Sequence, residues 1–166
     1  LISDSNTLTN SYTYKVYTDL YENNVTSMSF YIEAANSITN DDIKLSERLY
    51  IPGKRLRGFE TGKIGPKDGN DFIGGNYVSS INATTTIPTL LENVQSVDVV
   101  LFADAANIWG VDYDSSLDKN GIRSSVGIGI DWLTPVGPLT FSFAHPVTKE
   151  PSDIEQTFRF NIGTSF

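Results

Sequence analysis

The chain has 166 residues, with 12 basic against 20 acidic side chains, a formal net charge of −8, a sequence pI near 4.5 and no cysteine. That is the length of one domain. The acidic balance leaves no basic face for nucleic acid, and absent thiols exclude disulfides, thiolate metal sites and cysteine nucleophiles. No run approaches the ~20 apolar residues of a transmembrane helix. The chain starts on Leu1, not Met, so a truncated start is expected and a missing leader carries no information.

Residues 1–9 are polar and weakly patterned. Tyr12, Tyr14, Val16, Thr18 and Leu20 then alternate with Thr13, Lys15, Tyr17 and Asp19, the period of two of a strand. Glu22-Asn23-Asn24 supplies a turn. Met28, Phe30, Ile32 and Ala34 share the next parity, opposite Ser27, Ser29 and Glu33.

A long connection follows, roughly residues 37–75. Seven of the twelve basic residues fall between Lys44 and Lys67, and Pro52, Gly53, Gly58, Gly62, Gly65, Pro66 and Gly69 interrupt any regular helix or strand. Connections of this length are functional or disordered. Leu56, Phe59 and Ile64 argue against disorder, so the segment is expected to fold back against something, with Arg57 the charge that needs a partner.

Tyr77, Ile81, Ala83 and Ile87 alternate with Ser80, Asn82, Thr84 and Thr86. Val97, Val99, Leu101, Ala103 and Ala105 then share one face, opposite Asp98, Phe102 and Asp104. Residues 112–121 read as a polar loop. Ile122, Val126, Ile128, Ile130 and Trp132 oppose Arg123, Ser125, Gly127, Gly129 and Asp131. After the turn Thr134-Pro-Val-Gly-Pro138, Leu139, Phe141 and Phe143 oppose Thr140, Ser142 and Ala144. Finally Phe158, Phe160, Ile162, Thr164 and Phe166 oppose Arg159, Asn161, Gly163 and Ser165.

The expectation is an all-β, antiparallel chain of about seven strands of about ten residues, without amphipathic helices. A soluble sandwich alternates in the same way with its apolar faces inward. Strand length favours a transmembrane barrel, whose strands need ~9–11 residues against ~5–6 in soluble sheets. Aromatics at expected strand ends (Tyr12, Tyr77, Trp109, Trp132, Phe143, Phe166) and alternating short turns and long loops point the same way. Seven is an awkward number, because bacterial single-chain barrels have even counts from about eight upward. An open sheet would also leave backbone groups unpaired in lipid, so the chain is expected to be part of a larger barrel.

Four blocks in order resemble one family, the BamA-type outer-membrane assembly factors. Arg57-Gly58-Phe59, Ile64-Gly65-Pro66 and Gly74-Gly75-Asn76 resemble its sixth loop. Leu101-Phe-Ala-Asp-Ala-Ala-Asn-Ile-Trp109 is similar to its strand with aromatic-x-Asp-x-Gly-x-x-Trp, with Ala106 at the Gly position. Arg123 to Gly127 with Trp132-Leu-Thr-Pro-Val-Gly-Pro-Leu139 resembles its next hairpin, and Phe158-Arg-Phe-Asn-Ile-Gly-Thr-Ser-Phe166 its closing strand. The likeness covers residues 48–166 well and 1–47 by pattern only.

The resemblance implies the last seven or so strands of a sixteen-stranded barrel in the bacterial outer membrane, with periplasmic domains and early strands absent. It implies assembly and insertion of β-barrel proteins through a lateral seam closed by the last strand. The implied partners are the outer-membrane bilayer, unfolded outer-membrane clients and assembly-complex lipoproteins. It also implies a lumenal latch, Arg57 reaching Asp104 with Phe102 as a seat for Phe59. Thr84 stands where the family has a Glu as second partner of that Arg. Phe158, Phe160, Ile162, Gly163 and Phe166 would form the seam and assembly signal, Gly163 either bending the strand or packing closely. The alternatives are a TamA-like or two-partner-secretion transporter of the same superfamily, and a passive porin.

His145, the sole histidine, is expected at an interface. Asp112, Asp114 and Asp118 lack the Gly and closing Glu of a calcium loop and are expected in a solvated loop. No nucleophile constellation or phosphate loop is present, so no enzyme, metal or cofactor is expected.

Overall fold

Strict alternation gives each long strand one apolar and one polar face, and the computed structural model pairs these faces in register across a single sheet. It describes residues 6–39, 41–88, 96–118, 121–135 and 137–163. The strands are β1 (Thr7–Thr18), β2 (Thr26–Ser37), β3 (Gly58–Phe59), β4 (Lys67–Asp68), β5 (Asp71–Phe72), β6 (Tyr77–Thr86), β7 (Val97–Trp109), β8 (Arg123–Thr134), β9 (Gly137–Thr148), β10 (Glu155–Gln156) and β11 (Phe158–Ile162). Seven of them form one sheet in the order β1-β2-β6-β7-β8-β9-β11, every neighbour antiparallel. β1 and β11 are its ends, each paired on one side only among the described residues.

The register aligns apolar residues in rows. Tyr14 faces Phe30, which faces Ile81, which faces Ala105; Leu101 faces Ile128, which faces Phe143, which faces Phe158. These rows lie outside: Tyr14, Phe30, Ile81, Leu101, Ile128, Phe143, Phe158 and Phe160 are all exposed. The opposite face carries Ser29, Ser80, Asn82, Asp104, Arg123, Ser125 and Ser142, and these are buried. Such inverted patterning is costly in water but suits a wall between lipid and a polar interior.

Trp132 faces Val97 and Trp109 faces Tyr77, so the tryptophans mark opposite ends of β7. At ~3.3 Å per residue and a barrel-like tilt of ~40°, that strand rises about 30 Å, enough for a ~25 Å apolar band between aromatic girdles. Tyr77 stacks on Trp109, ring centroids 5.8 Å apart. Tyr12 and Phe143, expected at strand ends, lie instead near the middles of β1 and β9. Phe166 lies outside the described residues. The register between Ser124 and Ser125 is irregular, and Pro146 pairs there. A proline lacks the ladder donor, which confines it to such irregularities.

The core lies beneath the polar face. Ile43, Leu49, Ile51, Leu56, Phe59 and Ile64 of the long connection pack with Tyr31, Ala35, Val78, Ala106 and Ile108 of the sheet. The described residues of the connection between β2 and β6 therefore pack on the sheet, and its apolar residues supply what the polar sheet face lacks.

Candidate functional site

Arg57 reaches its partner because Gly58 lets the chain come close to the wall. Gly58 has φ +91°, and an added Cβ would sit 3.2 Å from the Cβ atoms of Ser125 on β8 and Ala144 on β9. Arg57 donates from Nε to Asp104 Oδ2 and from Nη2 to Asp104 Oδ1, both at 2.7 Å, and its backbone N–H donates to Oδ2 at 3.1 Å. This is the planar fork-to-carboxylate geometry that lysine cannot reproduce. The Asp104 side chain is fully buried, while that of Arg57 keeps 19% exposure.

The second partner of this pair is an amide. Asn82 directly faces Asp104 in the β6–β7 register, and its Nδ2 donates to Asp104 Oδ1 at 2.8 Å and to the Arg55 carbonyl at 2.7 Å. Thr84 faces Phe102 instead. Asn82 was visible on the polar parity of its strand, but a difference of two residues in register hid its role. Phe102 also departs from expectation. Its ring lies 3.4 Å from the Arg57 guanidinium carbon, a cation–π seat for the arginine. Phe59 joins the apolar cluster of the connection, which does not include Phe102.

Four further arginines tie loops to the sheet or to one another, Arg55 through Ser29 of β2 at 2.9 Å and Thr13 of β1 at 3.3 Å. Arg123 of β8 pairs with Asp153, Nε to Oδ2 at 2.9 Å, with both side chains fully buried. Asp153 also accepts from the Gly65 and Glu150 amides, at 3.3 and 2.7 Å, joining the long connection to the segment after β9. Arg159 of β11 donates to the Gly53 carbonyl and, at 2.6 Å, to the Phe59 carbonyl. Arg48 pairs with Asp112, which also accepts from the Ile43 amide at 2.6 Å and from Asn76 at 3.2 Å.

The 112–118 acids are thus more than a solvated loop. Burial raises the Asp112 carboxyl, but the donors Ile43 and Asn76 and the Arg48 charge outweigh it, leaving it below the ordinary carboxylate value. Asp118 accepts from the Gly110 and Val111 amides, and Asp114 caps a short 3-10 turn at Ser115–Leu117. No His, Cys, Asp and Glu group suited to a metal occurs among the described residues.

The Omp85 superfamily domain model matches residues 1–166. The chain belongs to the Omp85 superfamily. It is 32% identical to the outer membrane protein assembly factor BamA of Neisseria meningitidis over 75% of its own length and 19% of that protein's. It is 29% identical to a SAM50-like protein of Schizosaccharomyces pombe, over 84% of this chain and 31% of that one. The crystal structure of Haemophilus ducreyi BamA lacking POTRA domains 1–3 superposes with a TM-score of 0.85 at 26% identity, over 95% of this chain and 35% of that one. The chain therefore spans about a fifth of the Neisseria relative. With its outward apolar face, this Omp85 chain is a BamA-type transmembrane β-barrel segment of the bacterial outer membrane.

In this Omp85 segment the last-strand residues sit at the sheet's end. Phe158, Phe160 and Ile162 are exposed on the apolar face, and Phe141–Phe160 and Phe143–Phe158 each place ring centroids 4.9 Å apart. Gly163 has φ +104° where β11 ends, and among the described residues nothing lies within 4 Å of a would-be Cβ. His145 is exposed opposite Val126 on the outer face.

Proposed function

We propose that this chain is the carboxy-terminal part of an outer-membrane barrel of about sixteen strands that folds and inserts other β-barrel proteins. What most supports the reading is a wall with its apolar face outward and its polar face held by a latched loop. A seam that opens at the last strand would present backbone donors and acceptors to an incoming strand, as in β-augmentation. The closing strand of the barrel meets the first at a seam, and Phe158, Phe160, Ile162, Gly163 and Phe166 form that seam and the assembly signal. The connection 38–76 fills the lumen, with Arg57, Gly58 and Phe59 as its latch on Asp104 and Phe102.

The work is templating and insertion without bond chemistry, so it asks for no cofactor. The partners are unfolded outer-membrane clients, the bilayer, and assembly lipoproteins bound through other parts of the protein. Reconstituted full-length protein tests this. Faster folding of added client barrels without steady conductance is the expected result. Steady conductance without acceleration would make the protein a passive pore.

A further inference from the structure

We propose that Arg159 couples the long connection to the last strand, so that the loop sets the position of β11. The inference rests on the seam reading above. Among the described residues β11 pairs with β9 through five residues, Phe158 to Ile162, with flanking backbone bonds at Thr157 and Gly163, whereas the other neighbours in the sheet pair through nine to twelve. Its outward side chains are exposed like those of the other long strands and touch β9 through the Phe141–Phe160 and Phe143–Phe158 rings, so the shorter described ladder is what sets it apart.

Its inward Arg159 makes the contrasting contribution. One guanidinium donates to the carbonyls of Gly53 and Phe59, which bracket the segment carrying Arg57, and to Gln156 Oε1 at 2.9 Å. Asp104 of β7 grips the same segment through the side chain and backbone N–H of Arg57. Residues 53–59 are therefore held from β7 and from β11, with β8 and β9 between them, besides the bonds of Arg55 to Asn82 of β6, Ser29 of β2 and Thr13 of β1. Movement of the segment away from Asp104 must also pull on the bonds to Arg159.

The connection just before β11 is tied in as well. Glu155 and Gln156 pair with Phe59 and Gly58, Glu60 N–H donates to Ile154 O at 2.8 Å, and Ile154 N–H donates to Lys63 O at 3.0 Å. Among the described residues Arg159 has no carboxylate partner. Its charge is met by fixed carbonyl dipoles, a geometry that needs the fork rather than the charge alone. Gly53 is adapted to it, since an added Cβ would run into Arg159 Nη1 and Thr61 Oγ1.

The test is amide hydrogen exchange in the full-length protein in lipid, read on residues 158–162. Losing charge-assisted bonds makes Arg159→Ala exchange about tenfold faster there, or more. Arg159→Lys accelerates it in the same direction. Gly53→Ala does so from the loop side, and keeps the test open if Arg159→Ala does not assemble. Arg57→Ala also accelerates exchange in 158–162, although it lies in the loop. Unchanged exchange in 158–162 for both Arg159→Ala and Gly53→Ala overturns the coupling. So does an Arg57→Ala effect confined to 53–59. Client folding measured on the same samples separates the two ideas. Faster exchange with unaltered client folding supports the coupling and removes the seam reading; unaltered exchange overturns the coupling whatever the folding rate does.

Discussion

Four donors converge on the Asp104 carboxylate, two from the Arg57 guanidinium, one from the Arg57 backbone and one from Asn82. Arg57→Ala strips the buried carboxylate of its counter-charge. A buried pair broken on one side loses ~3–5 kcal/mol, and the partial exposure of Arg57 places the loss near ~3 kcal/mol. Trypsin, with sites at Lys54, Arg55 and Lys63, then cleaves the connection far faster in the full-length protein than in the parent. Asn82→Asp sets a second carboxylate beside Asp104 and opens the same sites, whereas a role for Asn82 in filling space alone predicts no change.

Asp112 supplies a pH dependence. Its carboxyl lies below the ordinary value of 3.8, so its contribution is complete above that value and is lost as pH falls through the lower, folded one. Pepsin sensitivity of residues 43–49 therefore rises as the medium is taken below about pH 4. Asp112→Asn makes that sensitivity independent of pH. At this scale the parity of β7 placed Asp104 on the polar face, the apolar connection pointed to Arg57 as a charge needing a partner, and the family likeness paired the two. The amide that completes the site depends on the register between β6 and β7, which neither strand encodes alone.

The long strands could be read from alternation, because a wall with unlike faces forces a period of two on every strand. The two-residue strands could not. β3 and β10 have no periodicity of their own and pair only because the connection and the segment after β9 arrive together on the polar face. Gly58 is the element that allows this arrival. Gly58→Ala meets both a left-handed backbone and two Cβ neighbours at 3.2 Å, and costs about 2 kcal/mol. The change shows as earlier loop opening in hydrogen exchange, with the exchange of β6 and β7 unaltered.

For the whole molecule, the outward rows need lipid. Ile128 lies at the middle of β8 between Leu101 and Phe143. Ile128→Lys costs ~2–4 kcal/mol at the bilayer midplane, measured as lowered folding stability of the full-length protein in vesicles. Ser27→Lys, on the polar face, has a much smaller effect in the same assay. If both changes weigh equally, the lipid-facing assignment of the rows is wrong.

By itself the sequence determined the number of long strands, the face each residue takes and the presence of a connection too apolar to be idle. Those properties are local, carried by side-chain alternation and by where glycine and proline interrupt it. Only the tertiary structure decided which residues complete the latch, that Phe102 seats the arginine, and that Arg123, Arg159 and Asp112 anchor the loops. Each of these rests on residues tens of positions apart meeting across a register. A shift of two residues leaves the alternation intact and changes every partner.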